Sequence, residues 1–229
     1  MKKVILNWYR DMLGQKMKYE QELAIHPLNN GKIIINYPGS EGDIHGYNRK
    51  YETLANHLAD SNLGAVVRSG NPYVGPWDRS LREMLKYVLI HSKEICGSKN
   101  PEIYLMGFSA GAGSISTLAW EYPEVKKILL FAPAIGVGAD AVSRGLKQFS
   151  GEVYIVVGAS DEVVKPEAGE IFFNYCDLAS RKELFVIEDC DHQFRGEKNG
   201  RLMSHAPFYA FLDEKPVFPD NKAGIFLYD

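Results

Sequence analysis

Six short apolar runs, separated by stretches of helical periodicity, constrain this chain more than any other feature. They are Lys32-Ile33-Ile34-Ile35-Asn36-Tyr37, Ala65-Val66-Val67-Arg68, Glu102-Ile103-Tyr104-Leu105-Met106, Lys127-Ile128-Leu129-Leu130-Phe131, Glu152-Val153-Tyr154-Ile155-Val156-Val157 and Glu183-Leu184-Phe185-Val186-Ile187. Strands that are apolar almost throughout must be covered on both faces, and alternation with helices makes them parallel. The intervening helices are expected at Tyr51–Leu58, from an Asp78 N-cap to about Ile95, at Ala110–Glu121, near Asp140–Phe149, near Pro166–Tyr175, and from about Met203 to Leu212. Val4–Trp8 and Tyr19–Ile25 add antiparallel edge strands. The expected architecture is one α/β domain over residues 1–229, with a mostly parallel twisted sheet of about seven or eight strands and helices on both faces.

Composition narrows the function classes. Hydrophobic residues make up 45% and charged residues 24% of 229, which excludes disordered, collagenous and disulfide-scaffold proteins. The net charge is 26 − 29 = −3, without the basic excess of a nucleic-acid binder. Cys96, Cys176 and Cys190 are odd in number and far apart, so they fit reduced thiols rather than a metal or redox pair. The apolar run Val4-Ile5-Leu6 stops too early for a secretory signal, and Ile128–Ala139 is too short and too rich in Pro and Gly to span a bilayer. A cytoplasmic protein with neither nucleic-acid nor membrane partners is expected.

The chemistry is carried by Gly107-Phe108-Ser109-Ala110-Gly111, a G-x-S-x-G between an expected strand and an expected helix. In that context the serine sits on a very tight turn whose flanking positions must be small, and the helix N-terminus lies beneath its oxygen. The strand–turn–helix around this nucleophile elbow resembles the α/β-hydrolase superfamily from about Lys32 to Leu212. It is most similar to the compact members without a large lid, the dienelactone hydrolases and small carboxylesterases. That resemblance implies a chain order of serine, acid, histidine.

Both later members have candidates. Gly158-Ala159-Ser160-Asp161-Glu162-Val163-Val164 resembles the family's G-x-x-D-x-x-V loop and makes Asp161 the acid, with Glu162 as its nearest rival. Asp191-His192-Gln193-Phe194 resembles the D-H-x-F signature, which makes His192 the base. Only His205 also follows Asp161, and its place in a helix fits a surface role better; Asp189 and Asp191 read as turn formers. The amide of Ala110 is one expected oxyanion donor. The other comes from Pro38-Gly39-Ser40-Glu41-Gly42, similar to the family's H-G-x-x-G with proline in place of histidine. Ser40 holds the donor position, with Gly39 and Glu41 as register alternatives. No metal or cofactor motif is present.

Only about twenty residues separate Phe131 from Glu152, enough for one short helix, so no large lid and an open or shallow site are expected. Tyr73, Trp77, Phe108 and Phe194 are candidate walls; Arg68, Arg79 and Arg195 could recognise an anionic group or serve as surface charges. The resemblance implies a serine hydrolase acting on a small carboxylic ester, thioester or lactone through an acyl-enzyme. A peptidase or amidase with the same triad, and a non-catalytic ligand-binding protein on this scaffold, are the alternatives. The tail from 213 to 229 ends in Ile225-Phe226-Leu227-Tyr228, which is costly to leave in water. It is expected to dock on its own subunit or across a homodimer, leaving monomer and homodimer both open.

Overall fold

β-Branched and aromatic residues dominate Lys32–Tyr37 and Glu152–Gly158, two of the eight segments that form strands, and both are buried almost throughout. In the computed structural model, which describes residues 1–72 and 77–213, the chain divides into two compact units, Met1–Ile103 and Tyr104–Asp229.

In the first unit, β1 (Lys2–Met12) and β2 (Gln15–His26) form an antiparallel hairpin, longer than the sequence pattern implies. Its two-residue turn, Leu13-Gly14, has positive φ at both positions (50° and 79°), the twist that closes tight hairpins. β2 runs antiparallel to β4 (Ala65–Ser69), and β4 pairs in parallel with β3 (Lys32–Tyr37), giving the order β1-β2-β4-β3. The crossover from β3 to β4 carries α1 (Lys50–Asp60), which buries Tyr51, Leu54, Ala55 and Leu58.

The expected helix from Asp78 to Ile95 is two helices, α2 (Arg79–Ile90) and α3 (Ser92–Cys96), with a kink at His91. The Ile95 and Cys96 carbonyls accept the Leu28 and Gly31 amides, which ties the second piece to the loop before β3. Asp78 makes no cap bond, because its carboxylate takes Arg82 Nε at 2.6 Å instead.

In the second unit the strands follow chain order: β5 (Glu102–Phe108), β6 (Val125–Phe131), β7 (Glu152–Gly158) and β8 (Arg181–Ile187). β6 and β8 flank β7 in parallel register, with Phe131 opposite Val156 and Gly158 opposite Ile187. The helices are α4 (Ala110–Leu118), α5 (Ala139–Gln148), α6 (Glu167–Tyr175) and α7 (Glu197–Phe211). Between β6 and β7 stand only α5 and one 3-10 turn, so there is no large lid. α7 begins six residues before the expected Met203, despite Gly200 and Pro207. Asn199 holds its first turn by donating to the Asp189 and Arg195 carbonyls at 3.1 and 3.0 Å.

The eight strands thus make a mostly parallel α/β architecture. No helix among the described residues is long and apolar enough to cross a membrane. The expected docking of Ile225–Tyr228 lies outside the described residues.

Candidate active site

β5 ends at Phe108, and α4 begins at Ala110, so one residue makes the whole turn. Ser109 takes φ 52° and ψ −121°, a conformation costly for any residue with a Cβ. The turn is fixed from three sides. Ser109 N donates to the Phe131 carbonyl at the end of β6, and the Ser109 carbonyl accepts the amides of Gly113 and Ala134. Small neighbours are obligatory. A Cβ on Gly107 would lie 2.6 Å from Ile115 Cδ1 and 2.8 Å from the Ala112 backbone, and one on Gly113 would lie 2.3 Å from the Ala134 carbonyl.

Asp161 follows β7 and His192 follows β8. The parallel register of these strands brings the two loops together, with Ala159 N on the Ile187 carbonyl and Ser160 N on the Cys190 carbonyl. The approach is close enough that a Cβ on Gly158 would lie 2.1 Å from the Cys190 carbonyl oxygen. Sequence reading noted Gly158 only as a motif position; its steric duty belongs to the neighbouring loop.

The three side chains meet in a line. His192 Nε2 lies 3.1 Å from Ser109 Oγ, and His192 Nδ1 lies 2.8 Å from Asp161 Oδ2. A carboxylate only accepts, so the ring carries its proton on Nδ1 and leaves Nε2 free to accept from the serine hydroxyl. Asp161 is 2% exposed, and its other oxygen accepts the Val163 and Val164 amides at 2.8 and 3.0 Å. Its rival Glu162 is exposed. His205 lies in the middle of α7, and the Asp191 carboxylate accepts the Arg195 amide and pairs with its guanidinium. Cys190, next to these loops, is a buried free thiol whose pKa desolvation pushes up to about 12.

The remaining candidates are placed unevenly. Ala110 is the first residue of α4, where backbone amides have no partner within the helix. Phe108 is half-buried, with its ring 5.4 Å from that of His192. Phe194 is not an open wall: it is 3% exposed and stands edge-on to Phe108 and Phe131, supporting Phe108 from behind. Trp77 is half-buried in the first unit, while Tyr73 lies outside the described residues.

None of the three arginines stands ready for an anion. Arg68 is buried, donating to the Ile44 carbonyl and facing His26 Nε2; Arg79 and Arg195 pair with Glu83 and Asp191. Among the described residues, no three His, Cys, Asp or Glu side chains gather in a metal-binding group.

Ser40 lies in the first unit, exposed, in the turn after β3 that the Gly42 amide closes on the Gly39 carbonyl. Where the resembled family has histidine, this loop has a different brace. Asn71 Nδ2 donates to the Pro38 carbonyl at 3.0 Å, and Asn71 N donates to the Gly42 carbonyl at 2.8 Å. Asn71 Oδ1 accepts the Tyr37 hydroxyl at 3.1 Å, so Tyr37 must accept from Ser80 Oγ in turn. All three side chains are buried. Sequence analysis missed Asn71, since no motif marks it; an asparagine just beyond a buried strand was the available signal.

Comparison with known proteins places the fold. No family model and no curated protein matches the sequence. Among solved structures, Est1E from Butyrivibrio proteoclasticus is similar with TM-score 0.65 and 17% identity, covering 87% of this chain and 95% of that one. Dienelactone hydrolase from Anabaena variabilis gives 0.64 and 16%, covering 93% and 100%. An alpha-beta serine hydrolase homologue from Coxiella burnetii gives 0.59 and 22%, covering 82% and 89%. The strand succession, the single short helix between β6 and β7 and these likenesses together show that the chain has the α/β-hydrolase fold.

Proposed function

We propose that this protein is a serine hydrolase that cleaves a small carboxylic ester, thioester or lactone through an acyl-enzyme. The observation that carries the reading is the hydrogen-bonded line from Ser109 Oγ through His192 to the buried Asp161. Ser109 Oγ bonds to the substrate carbonyl carbon while its proton passes to His192 Nε2. Asp161 holds the Nδ1 proton in place and stabilises the imidazolium. The amides of Ala110 and Ser40 receive the charge that develops on the carbonyl oxygen. As the tetrahedral intermediate collapses, the bond to the leaving group breaks and Nε2 returns its proton to that group. Water then gives a proton to Nε2, attacks the acyl carbon and releases the acid, and Ser109 recovers its proton.

The short connection between β6 and β7 fits a small substrate, and the hydrolases and esterases that share the fold support this class. Phe108, beside His192, offers an apolar face to an acyl or leaving group. A fluorophosphonate probe tests the reading: the intact protein is labelled and Ser109→Ala is not. A folded wild-type protein that takes no label overturns it and leaves a ligand-binding protein on the same scaffold. Labelling followed by turnover of small amides but not esters would replace esterase with amidase.

A further inference from the structure

We propose that β1 is the seat of a homodimer, in which two copies join edge to edge by antiparallel pairing of Lys2–Met12 about a two-fold axis at Asn7. This inference is independent of the hydrolase reading. β1 has β2 on one side, and among the described residues no strand on the other. Its outer row of backbone amides and carbonyls is therefore a template for a further strand. Edge strands are usually short or carry charge in the middle to prevent such pairing. β1 has eleven residues, and its centre, Val4-Ile5-Leu6-Asn7-Trp8-Tyr9, has no charge; Lys2, Lys3, Arg10 and Asp11 stand only at its ends.

Residue alternation selects the partner. Val4, Leu6, Trp8 and Arg10 turn inward, while Lys3, Ile5, Asn7, Tyr9 and Asp11 are exposed; Ile5 keeps 58% and Tyr9 50% of its surface. A two-fold axis perpendicular to the sheet keeps each face on its own side, so odd residues must oppose odd residues. Centring the axis on Asn7 opposes Ile5 to Tyr9 and Lys3 to Asp11, each twice, with Asn7 facing its own copy. On the inner face, Leu6 then meets Trp8. β-Branched–aromatic and opposite-charge pairs are the favourable cross-strand combinations.

Shifting the axis to Leu6 opposes Lys2 to Arg10. Shifting it to Trp8 loses the Lys3–Asp11 pair and sets both Asp11 against Ile5 and Arg10 against Leu6, whereas the Asn7 register, over Lys3–Asp11, sets only Arg10 against an apolar residue, Val4. Charge complementarity therefore picks one register and a second copy of this chain. Lys3 also holds Glu22 at 2.8 Å on its inner side, so in the dimer it lies between two carboxylates. Beside the strand lies a groove of about 180 Å³ of mixed character, lined by Leu6, Trp8, Tyr87 and Ile90 together with Asn7, Glu83 and Lys86.

The test is made on the full chain. Light scattering of the wild type should give twice the 25.7 kDa chain mass, and Asp11→Lys or Ile5→Lys, both at exposed positions, should return it to 25.7 kDa while circular dichroism shows a folded chain whose melting temperature no longer rises with protein concentration. Mild oxidation of Asn7→Cys should give a covalent dimer, because the two thiols face each other across the axis. Ile5→Cys alone should give none, whereas a mixture of Ile5→Cys and Tyr9→Cys should cross-link. The three native cysteines are buried and supply little background. A wild type that stays at 25.7 kDa up to its solubility limit overturns the proposal. So does a dimer that survives both lysine variants, or one in which Asn7→Cys does not cross-link.

Discussion

Asp161→Asn is the sharpest test of the proposed mechanism, because its effect follows from which carboxylate oxygen is already committed. Oδ1 accepts two backbone amides, from Val163 and Val164, so the asparagine carbonyl must sit there. An amide NH2 in that place would face two donors. The NH2 group is thereby forced into the Oδ2 position, 2.8 Å from His192 Nδ1, where it donates instead of accepting. His192 must then carry its proton on Nε2, facing Ser109, and can no longer take the hydroxyl proton.

The corresponding change in a serine protease triad lowers kcat by about 10⁴. That corresponds to roughly 5 kcal/mol of transition-state stabilisation. The fold should survive, since both backbone amides remain satisfied and the exchange is isosteric. The assay is the second-order rate of fluorophosphonate labelling, which needs no knowledge of the natural substrate, run beside thermal unfolding. Glu162→Gln, at an exposed position, is the control and should change little. Labelling by folded Asp161→Asn within about tenfold of wild type, a deficit of only ~1.4 kcal/mol, would refute the reasoning. An equal loss in Glu162→Gln would move the acid by one residue.

Gly158→Ala should both slow labelling and destabilise the fold, because its methyl meets the Cys190 carbonyl oxygen at 2.1 Å. Overpacking of this kind costs about 1–3 kcal/mol, and an unchanged melting temperature would show that the loops separate freely. Asn71→Ala leaves the Pro38 carbonyl without its side-chain donor, a cost of about 1–3 kcal/mol for a buried group. If the loop presents Ser40 to the oxyanion, kcat falls while KM holds, and a lowered melting temperature with full kcat would confine Asn71 to stability. His26 has its pKa lowered, first by burial and then by the Arg68 guanidinium that donates to it, so the unfolded chain binds the proton more readily than the folded one. Wild-type stability should therefore drop as pH falls through about 6.5, and His26→Gln should flatten that slope in urea titrations; equal slopes would remove His26 as the cause.

The strands and most helices were legible because their signals are local. A β-branched run such as Ile33–Ile35 cannot be satisfied on a water-facing surface, and a G-x-S-x-G between strand and helix leaves Ser109 little alternative to a strained turn. Helix limits were less legible where distant groups set them. The start of α7 depends on Asn199 reaching the Asp189 carbonyl, and the kink at His91 accompanies carbonyls that serve the loop before β3.

The candidate site divides in the same way. The G-x-S-x-G string nominated Ser109, and the resemblance to the α/β-hydrolase motifs nominated Asp161 and His192, each just after an expected strand. Their separation in space was decided by the parallel register of β7 with β8 and by the bond from Ser109 N to the end of β6. Phe194 was read as a wall, since composition marks it as a large ring beside the histidine; packing against Phe131 turned it into support. The Asn71 brace left no motif, because hydrogen bonds from one loop to the carbonyls of another depend on where two chain segments meet. Residue type and spacing thus determined which groups could do chemistry, and only the packing of neighbouring segments decided which of them face one another, because contacts distant in sequence exist only once the strands have paired.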